Sequence, residues 1–477
     1  MRLRSPSKLF VLLLALALTA VSGPLPLTAA MKARIDAIVK GELVRQFVPG
    51  AQVAVAENGR IIYTKGYGLR EIGSRLPVDA NTAFAIGSVT KQFTAAAIML
   101  LAQQGKLNVD DKLSKYLPDA PHASEVTLRN LLTHTSGIVG FTEVPNFSLL
   151  LPTPSSPQRI VSTIADKPLA FKPGTRWEYS NTNFVLLGMV ISKVSGQPYA
   201  DFIRDHFFVP LGMTRAWYTR TEEIHADDAR GYTEFMFGLP DEHAYLSDWS
   251  WYDAAGGLTM SAADLAQWDI ALDSGRAVSP SSFAEMTAPF VLAGGKSTGY
   301  GFGIATGSVF GRRTVGHDGL VSGFSAENLT FPNDRVAVVL SANGDNFAYV
   351  HAIRAIAAVL YGTKDPQASR PFVPISEPAA QVAAAKTELE ALLAGSPDLS
   401  RMTPDLALTL PPYRIAQLKE DGRLMGEPLD VQPSSIDRRP PLTIYRYRVR
   451  FKSALAEWVY SVTDSGKFAG FSLQAWQ

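Results

Sequence analysis

The stretch "AFAIGSVTKQFTAAAIMLLAQQG", residues 83–105, is an apolar segment with helical character that carries a hydroxyl and an amine near its start. Ser88 and Lys91 stand three residues apart, directly after Gly87. Residues with this spacing share one face of a helix, so the two side chains are able to meet. A serine hydroxyl needs a neighbouring base to act as a nucleophile, and a lysine whose pKa falls through burial can be that base. The segment therefore suggests a catalytic Ser-Lys pair.

Two interpretations of the Ser-x-x-Lys pattern stay open when it is taken alone. In the simpler one, Ser88 caps a helix and Lys91 extends its amine toward solvent. In the catalytic one, the free N–H groups of the first helical turn lower the lysine pKa and stabilise an oxyanion. Ser5 and Lys8 match the same pattern in a segment where it has no chemical meaning. The decision depends on partner residues elsewhere in the chain.

Two further motifs offer such partners. Tyr179–Ser180–Asn181 is the only Tyr-x-Asn of the chain and stands between a Pro-Gly turn and an apolar helix. There the tyrosine is able to carry protons while the Asn181 amide orients substrate, although a core tyrosine beside a helix cap fits equally. His317–Asp318–Gly319 is the only His-x-Gly. Its glycine permits close approach of substrate backbone to a strand edge, and its simpler interpretation is a surface turn.

The order of these three motifs resembles the serine β-lactamase and penicillin-binding-protein superfamily. The likeness is greatest to the branch of class C β-lactamases, D-amino-acid-releasing peptidases and related esterases, and it covers roughly residues 31–365. The stretches that support it are "GKLNVDDKLSKYLPD", "VTLRNLLTHTSGI", "FKPGTRWEYSNTNF" and "AAGGLTMSAADLAQW".

The resemblance implies a role for each motif residue. Ser88 would be the acylated nucleophile, and Lys91 its base or proton relay. Tyr179 would pass a proton to the leaving group and activate water for deacylation. Whether Lys91 or Tyr179 takes the first proton is a coupled question that the sequence leaves open. The backbone N–H groups of Ser88 and Leu320 would form the oxyanion hole, and His134 is interpreted as structural.

The third motif departs from the pattern of the superfamily. Lactamases and penicillin-binding enzymes usually place a lysine where this chain has His317, and the lysine holds the substrate carboxylate. An imidazole is a weaker partner for a carboxylate, and Asp318 beside it disfavours anions further. The substitution therefore favours an esterase or a peptidase over a strong β-lactamase.

Hydrophobic patterning predicts an α+β fold. A hairpin around Asn58–Gly59 and a second around Pro332–Asp334 indicate an antiparallel sheet, flanked by terminal helices at 31–47 and 347–362. A mainly helical region would be inserted between the two hairpins. The aromatic-rich loop 232–253 either lines the acyl pocket or packs in the core.

The predicted domain organisation has four parts. Residues 1–30 are a signal peptide, 31–365 the β-lactamase-like hydrolase domain, 366–376 a linker rich in proline, and 377–477 a small α+β domain. Strand-like runs after one helix make that last domain faintly similar to cystatin-like or NTF2-like folds.

The first thirty residues have the order of a secretory signal: a basic start, the apolar run "LFVLLLALALTAV", then small residues. Cleavage after Ser22 or near Ala29–Ala30 is expected. The apolar run is short for a bilayer span, and an uncleaved anchor is the alternative. We expect the mature chain in a bacterial periplasm or in the medium.

Composition excludes several kinds of site. The chain has no cysteine, hence no disulfide, thiolate nucleophile or thiolate metal site. Its seven histidines show no zinc-binding spacing, so neither a metal nor another cofactor is predicted. A net charge of +1 gives the chain no electrostatic attraction to nucleic acid. A small molecule or a peptide is therefore the expected partner.

The sequence as a whole predicts an exported serine hydrolase that forms an acyl-enzyme on Ser88 and cleaves esters or amides. A class C β-lactamase and a non-catalytic binding protein for cell-wall peptides are the alternatives.

Overall fold

The computed structural model describes most of the chain. The described residues are 23–46, 48–144, 147–219, 225, 227–234, 240–241, 247–345, 347, 349–365, 374–439, 441–451 and 455–475. Most of the predicted signal peptide, much of the aromatic-rich loop and most of the predicted linker lie outside these residues.

The strands form one large sheet and three smaller ones. They are β1 (Gly50–Glu57), β2 (Arg60–Glu71), β3 (Leu76–Pro77), β4 (Phe84–Ala85), β5 (Ala216–Tyr218), β6 (Thr233–Glu234), β7 (Pro240–Asp241), β8 (Leu258–Met260), β9 (Ala305–Val309), β10 (Arg312–Val321), β11 (Phe324–Phe331), β12 (Val336–Ala342), β13 (Asp430–Arg439), β14 (Leu442–Arg450), β15 (Leu455–Thr463) and β16 (Phe468–Ala475). The large sheet is antiparallel, with the order β3-β2-β1-β12-β11-β10-β9. Its centre joins β1 to β12, so the two ends of the domain meet there.

The helices before residue 365 cover both faces of this sheet, and the helices after it belong to the C-terminal unit. They are α1 (Ala29–Arg45), α2 (Thr90–Gln103), α3 (Leu128–Leu132), α4 (Phe147–Leu150), α5 (Pro157–Ser162), α6 (Asn181–Ser195), α7 (Tyr199–Ile203), α8 (Val209–Leu211), α9 (Asp253–Gly256), α10 (Ala262–Asp273), α11 (Pro280–Met286), α12 (Tyr349–Leu360), α13 (Ala379–Leu393), α14 (Pro404–Leu408) and α15 (Pro412–Met425). The helices α2 to α11 come from the region between the two predicted hairpins, which confirms the predicted α+β fold with a mainly helical insertion.

The sheet separates two apolar cores because successive side chains of a strand point to opposite faces. On β1, Ala54 and Ala56 belong to the core that includes α2, α6 and α10. Val53 and Val55 belong to the core that includes α1 and α12. Helix α2, which directly follows the turn with Ser88, therefore lies on the same side of the sheet as the rest of the inserted helical region.

Both predicted hairpins are present. Asn58 and Gly59 have φ values of 51° and 77°, the left-handed backbone that a two-residue hairpin turn requires, and they join β1 to β2. A short turn over Pro332–Asp334 joins β11 to β12. The predicted terminal helices are α1 and α12.

The chain beyond residue 376 folds into a small unit with a core of its own. Its four strands form an antiparallel sheet in the order β13-β14-β15-β16, covered by α13 and α15. Leu389, Leu418, Tyr447 and Trp458 are buried in that core. The predicted α+β character is confirmed, whereas β13 and α15 had no expected counterpart in the sequence.

Candidate active site

A short turn presents Ser88 at the entrance of α2. Residues Gly87–Val89 form one turn of 3₁₀ helix that runs directly into α2 at Thr90. Gly87 has a φ of +50°, which few residues other than glycine adopt, and a Cβ there would lie 2.8 Å from the backbone nitrogen of Leu320. The glycine thus lets the nucleophile turn pack directly on strand β10.

Lys91 is fully buried and makes three hydrogen bonds. Its Nζ lies 2.8 Å from Ser88 Oγ, 2.9 Å from Asn181 Oδ1 and 2.7 Å from the carbonyl oxygen of Ala255. These contacts hold the amine against the serine hydroxyl. The interpretation of Lys91 as a surface lysine is wrong, because its side chain has no exposed area.

The surroundings of Lys91 favour a neutral amine. Burial lowers the pKa of Lys91 well below its usual value, and the negative charge of Asp318 opposes this shift only in part. The amine also lies 4.9 Å from the ring centre of Tyr179 and 5.6 Å from that of Phe184. A lysine whose neutral form is favoured in this way has a lone pair with which to accept the Ser88 proton.

Tyr179 lies against the same pair. Its hydroxyl is within hydrogen-bonding reach of Ser88, and burial raises the pKa of Tyr179 above its usual value. The phenol is therefore protonated at neutral pH, which suits a group that donates a proton to a leaving group. Of the two bases that the sequence left open, this electrostatic state favours Lys91 for the first proton transfer.

His134 sets the start of helix α6, where Asn181 stands. The Ser180 N–H donates to His134 Nδ1 at 3.1 Å, and Asn183 Nδ2 lies 3.3 Å from the same nitrogen. The imidazole is completely buried, its pKa lies well below the usual range through burial, and its ring centre is 4.2 Å from that of Tyr179. These contacts agree with the structural role that the sequence suggests.

Asn181 contacts both the lysine and the cleft wall. Its Oδ1 accepts from Lys91, while its Nδ2 donates to Thr142 Oγ1 at 3.4 Å. The amide therefore fixes the amine and keeps a donor at the opening of the site.

Strand β10 supplies the second backbone N–H expected in an oxyanion hole. A turn over Ser322–Gly323 pairs Val321 with Phe324, and ladder bonds alternate along antiparallel strands. The Leu320 N–H consequently points away from β11, toward the other edge of β10. At that edge, the pairing with β9 ends before Leu320. A Cβ on Gly319 would lie 2.9 Å from the nitrogen of Ser88 and 1.9 Å from the Ile86 carbonyl oxygen. Gly319 is thus required by the close approach of the protein's own backbone.

His317 is buried, and both of its ring nitrogens have protein partners. Nδ1 lies 2.5 Å from the carbonyl oxygen of Asp318, and a carbonyl oxygen can only accept a hydrogen bond, so Nδ1 carries the proton. Nε2 of the neutral ring is then the acceptor, and the Tyr300 hydroxyl donates to it at 2.7 Å. Burial, followed by the nearby Lys91, lowers the pKa of His317 to about 4. Direct binding of substrate by His317 stays a prediction; the geometry gives the ring a role in fixing the backbone that leads to Gly319.

A buried polar network links α2 to strands β10 and β11. Asn328 Oδ1 accepts from Gln92 Nε2 at 2.8 Å and from the His317 backbone N–H at 3.1 Å. Asn328 Nδ2 donates to Asp269 Oδ1 at 2.5 Å. Gln92 directly follows Lys91 in the chain, so the network connects helix α2 to strand β10, which carries Gly319 and Leu320.

Asp318 faces helix α12, and the aromatic-rich loop contacts the turn that follows β10. The Asp318 side chain is 57% exposed, and its Oδ2 accepts from the Tyr349 hydroxyl at 2.7 Å on the α12 side of the sheet. Tyr252 donates to Ser322 Oγ at 2.9 Å, which ties the described end of the 232–253 loop to the β10–β11 turn. That the loop lines the acyl pocket stays a prediction.

Three contributors to the site had no sequence-based prediction. The Ala255 carbonyl acts through the backbone, so its residue type carries no information. Tyr300 and the Gln92–Asn328 pair are ordinary polar residues in apolar segments. A buried glutamine within α2 was the one available indication, because such a side chain needs a partner.

Comparison with known proteins decides the family. Residues 32–361 match the family model described as "Beta-lactamase". The chain belongs to the β-lactamase family.

Three members or neighbours of the β-lactamase family illustrate the likeness. PbpX of Bacillus subtilis (strain 168), a protein named for penicillin binding, is 35% identical over 295 residues, which are 62% of this chain and 70% of that protein. A D-stereospecific amidohydrolase from Streptomyces sp. has a TM-score of 0.61 and 28% identity, covering 71% of this chain and 100% of its own. A penicillin-binding protein homologue from Pyrococcus abyssi, described as octameric, has a TM-score of 0.63 and 22% identity over 92% of this chain and 99% of its own, and shows the fold alone.

The β-lactamase family resemblance predicted from the sequence is thereby confirmed, as is the assignment to serine hydrolases. Within the described residues, no group of three or more His, Asp or Glu side chains could hold a metal ion. None of the described helices has the length and apolar character that crossing a bilayer requires.

Proposed function

We propose that this β-lactamase-family chain is an exported hydrolase that cleaves uncharged or amine-bearing esters and amides through an acyl-enzyme on Ser88. The observation that carries the proposal is the buried amine of Lys91, held 2.8 Å from Ser88 Oγ by Asn181 and the Ala255 carbonyl. The 28% identity to a D-stereospecific amidohydrolase supports amides of D-amino acids as one substrate class.

Acylation begins when neutral Lys91 accepts the Ser88 proton and Oγ attacks the substrate carbonyl. The developing oxyanion is stabilised by the N–H groups of Ser88 and Leu320. Tyr179 donates its proton to the departing alcohol or amine and regains one from Lys91. The leaving group thus departs with one proton, the one lost by Ser88 is replaced on Tyr179 through Lys91, and the acyl-enzyme forms with Ser88 acylated and with Lys91 and Tyr179 in their starting states.

Deacylation reverses the same path with water in place of the leaving group. The Tyr179–Lys91 pair accepts a proton from the attacking water, and the Ser88 oxygen is protonated as the acid departs. The product carboxylate is then released from the oxyanion hole.

The charges around β10 support a preference against anionic substrates. His317 is neutral near pH 7 because its pKa is about 4, so it offers no cation to a substrate carboxylate. Asp318 adds an exposed negative charge beside Gly319. Penicillins and peptides with a free carboxylate at this position should therefore bind less well than neutral esters or amine-bearing amides.

Replacing His317 by lysine should shift substrate preference toward carboxylates. Steady-state kcat/KM is measured for paired esters that differ by one carboxylate. We expect the ratio for His317→Lys to favour the anionic ester by about tenfold, roughly 1.4 kcal/mol, relative to the native protein. His317→Gln is the matched control, because it removes the ring without adding charge. A native protein that already hydrolyses penicillins faster than simple esters would make β-lactamase the better assignment.

Mass spectrometry of the intact protein tests the proposed function itself. The full chain is incubated separately with a fluorophosphonate, a penicillin and an acyl ester, and the adduct is located by peptide mapping. One adduct per chain, on Ser88, is expected with the first and third reagents. No covalent adduct with any reagent would favour the alternative of a non-catalytic binding protein for cell-wall peptides.

The C-terminal unit is proposed to be dispensable for acylation. Removing residues 370–477 should leave a folded domain that still reacts at Ser88, because that unit has its own core and the described site residues all precede residue 350. Circular dichroism and fluorophosphonate labelling of the truncated chain check this against the full chain. A truncated protein that is folded yet unlabelled would show that the C-terminal unit completes the site.

The contacts of Leu25 and Thr28 bear on where the proposed signal peptide is cleaved. The Leu25 N–H donates to the Leu360 carbonyl at 2.8 Å, and Thr28 caps helix α1. Of the two expected cleavage positions, the one after Ser22 keeps these contacts in the mature chain. Cleavage near Ala29–Ala30 would remove both.

A further inference from the structure

A carboxyl group that the mechanism does not use lies directly behind the oxyanion strand. Glu327 on β11 is paired in register with Asp318 on β10, so the two side chains share one face of the sheet and stand opposite each other. Like charges in this arrangement repel. Asp318 is the residue immediately before Gly319 and Leu320, whose backbone forms one side of the proposed oxyanion hole.

The neighbours of Glu327 do not neutralise it. Its Oε2 is buried and has no hydrogen-bond partner among the residues that the structure describes. The guanidinium of Arg354 on α12 is hydrogen-bonded twice to Asp365, at 2.9 and 3.1 Å, and stacks on Phe310. The Tyr349 hydroxyl of α12 donates to Asp318, and the residue opposite on β12 is the apolar Leu340.

We propose that Glu327 is a positioning residue kept in its neutral, protonated form behind the His317–Asp318–Gly319 strand, and that its ionisation inhibits the hydrolase at alkaline pH. An ionised Glu327 places a second negative charge beside Asp318. That charge opposes the oxyanion at Leu320 and favours protonation of Lys91, which then cannot accept the Ser88 proton. Burial, reinforced by the charge of Asp318 and opposed in part by that of Arg354, raises the pKa of Glu327 to about 8, which agrees with this assignment.

The pH dependence of activity provides the first test, which rests on the proposed hydrolase function. For the full chain with a neutral ester, kcat/KM should fall above pH 8, by up to about tenfold at pH 9, where about a tenth of a group with this pKa stays protonated. Glu327→Gln should match the native protein near pH 7 and lack this decrease. The matched control is Glu457→Gln, which replaces a half-buried carboxyl group on β15 of the C-terminal unit. This control should keep the alkaline decrease of kcat/KM. An unchanged alkaline decrease in Glu327→Gln would overturn the proposal.

Thermal unfolding provides a second test that needs no activity. The unfolded chain loses the Glu327 proton near pH 4.5, whereas the folded chain holds it to about pH 8. The native protein therefore loses stability relative to Glu327→Gln as pH rises through this window. We expect the two melting temperatures to agree at pH 4 and the variant to melt several degrees higher at pH 8.5. Parallel melting curves at every pH would overturn the assignment even if Ser88 were never acylated.

Discussion

A Ser88→Ala variant is expected to lose ester and amide hydrolysis by at least about 10⁴-fold and to form no covalent adduct. The reason is that the acyl group has no other acceptor held next to a buried amine. Folding should change little, because the hydroxyl loses its hydrogen bonds with Lys91 and Tyr179, worth roughly 1 kcal/mol each, and the amine keeps its contacts with Asn181 and Ala255. Turnover and intact mass after ester treatment are the measurements.

A matched control for this variant is Ser180→Ala. Ser180 is buried one residue after Tyr179, and within the described part of the chain its hydroxyl has no hydrogen-bond partner. This substitution also removes one serine hydroxyl close to Tyr179, and turnover should stay close to that of the native protein. If Ser88→Ala retained turnover near the native level, the assignment of the nucleophile would be wrong.

Lys91→Met and Tyr179→Phe should each lower kcat by about 10²–10⁴-fold, the usual loss when a general acid or base is removed. Methionine fills most of the lysine volume without an amine, and phenylalanine keeps the ring that packs at 4.2 Å on His134. Steady-state rates and single-turnover acylation of Ser88 are the measurements, with circular dichroism to confirm the fold.

The double variant distinguishes a joint role from separate roles. Because Lys91 and Tyr179 exchange the same proton in the proposed mechanism, the second substitution should add much less than its own single effect. A loss equal to the product of both single losses would show that the residues serve independent steps.

The candidate catalytic residues could be picked out from the sequence because the chemistry proposed for them restricts residue type and spacing at once. Ser88 and Lys91 must stand one turn apart, and Tyr179 must precede a helix that presents Asn181. The two hairpins were predictable for a similar local reason: Asn58–Gly59 has the backbone freedom that a tight turn requires.

Contacts made across the sheet were not predictable in the same way. Whether the Asp318 side chain faces the cleft or helix α12 depends on the register of β10 against β11, which no short motif encodes. The same register brings Glu327 behind the oxyanion strand and Asn328 to the His317 N–H. Strand β13 was missed because Pro433 and its polar neighbours lack the apolar alternation of a strand.

The bond from Leu25 to the Leu360 carbonyl has a consequence for the architecture of the chain. It holds the first and last helices of the catalytic domain side by side, so the start and finish of that domain are neighbours in space. Domains with adjacent ends tolerate circular permutation and insertion into other proteins. A short peptide between residues 361 and 25 could close the domain into a ring, and the exposed Gly294–Gly295 loop could then supply new termini without breaking a strand or helix.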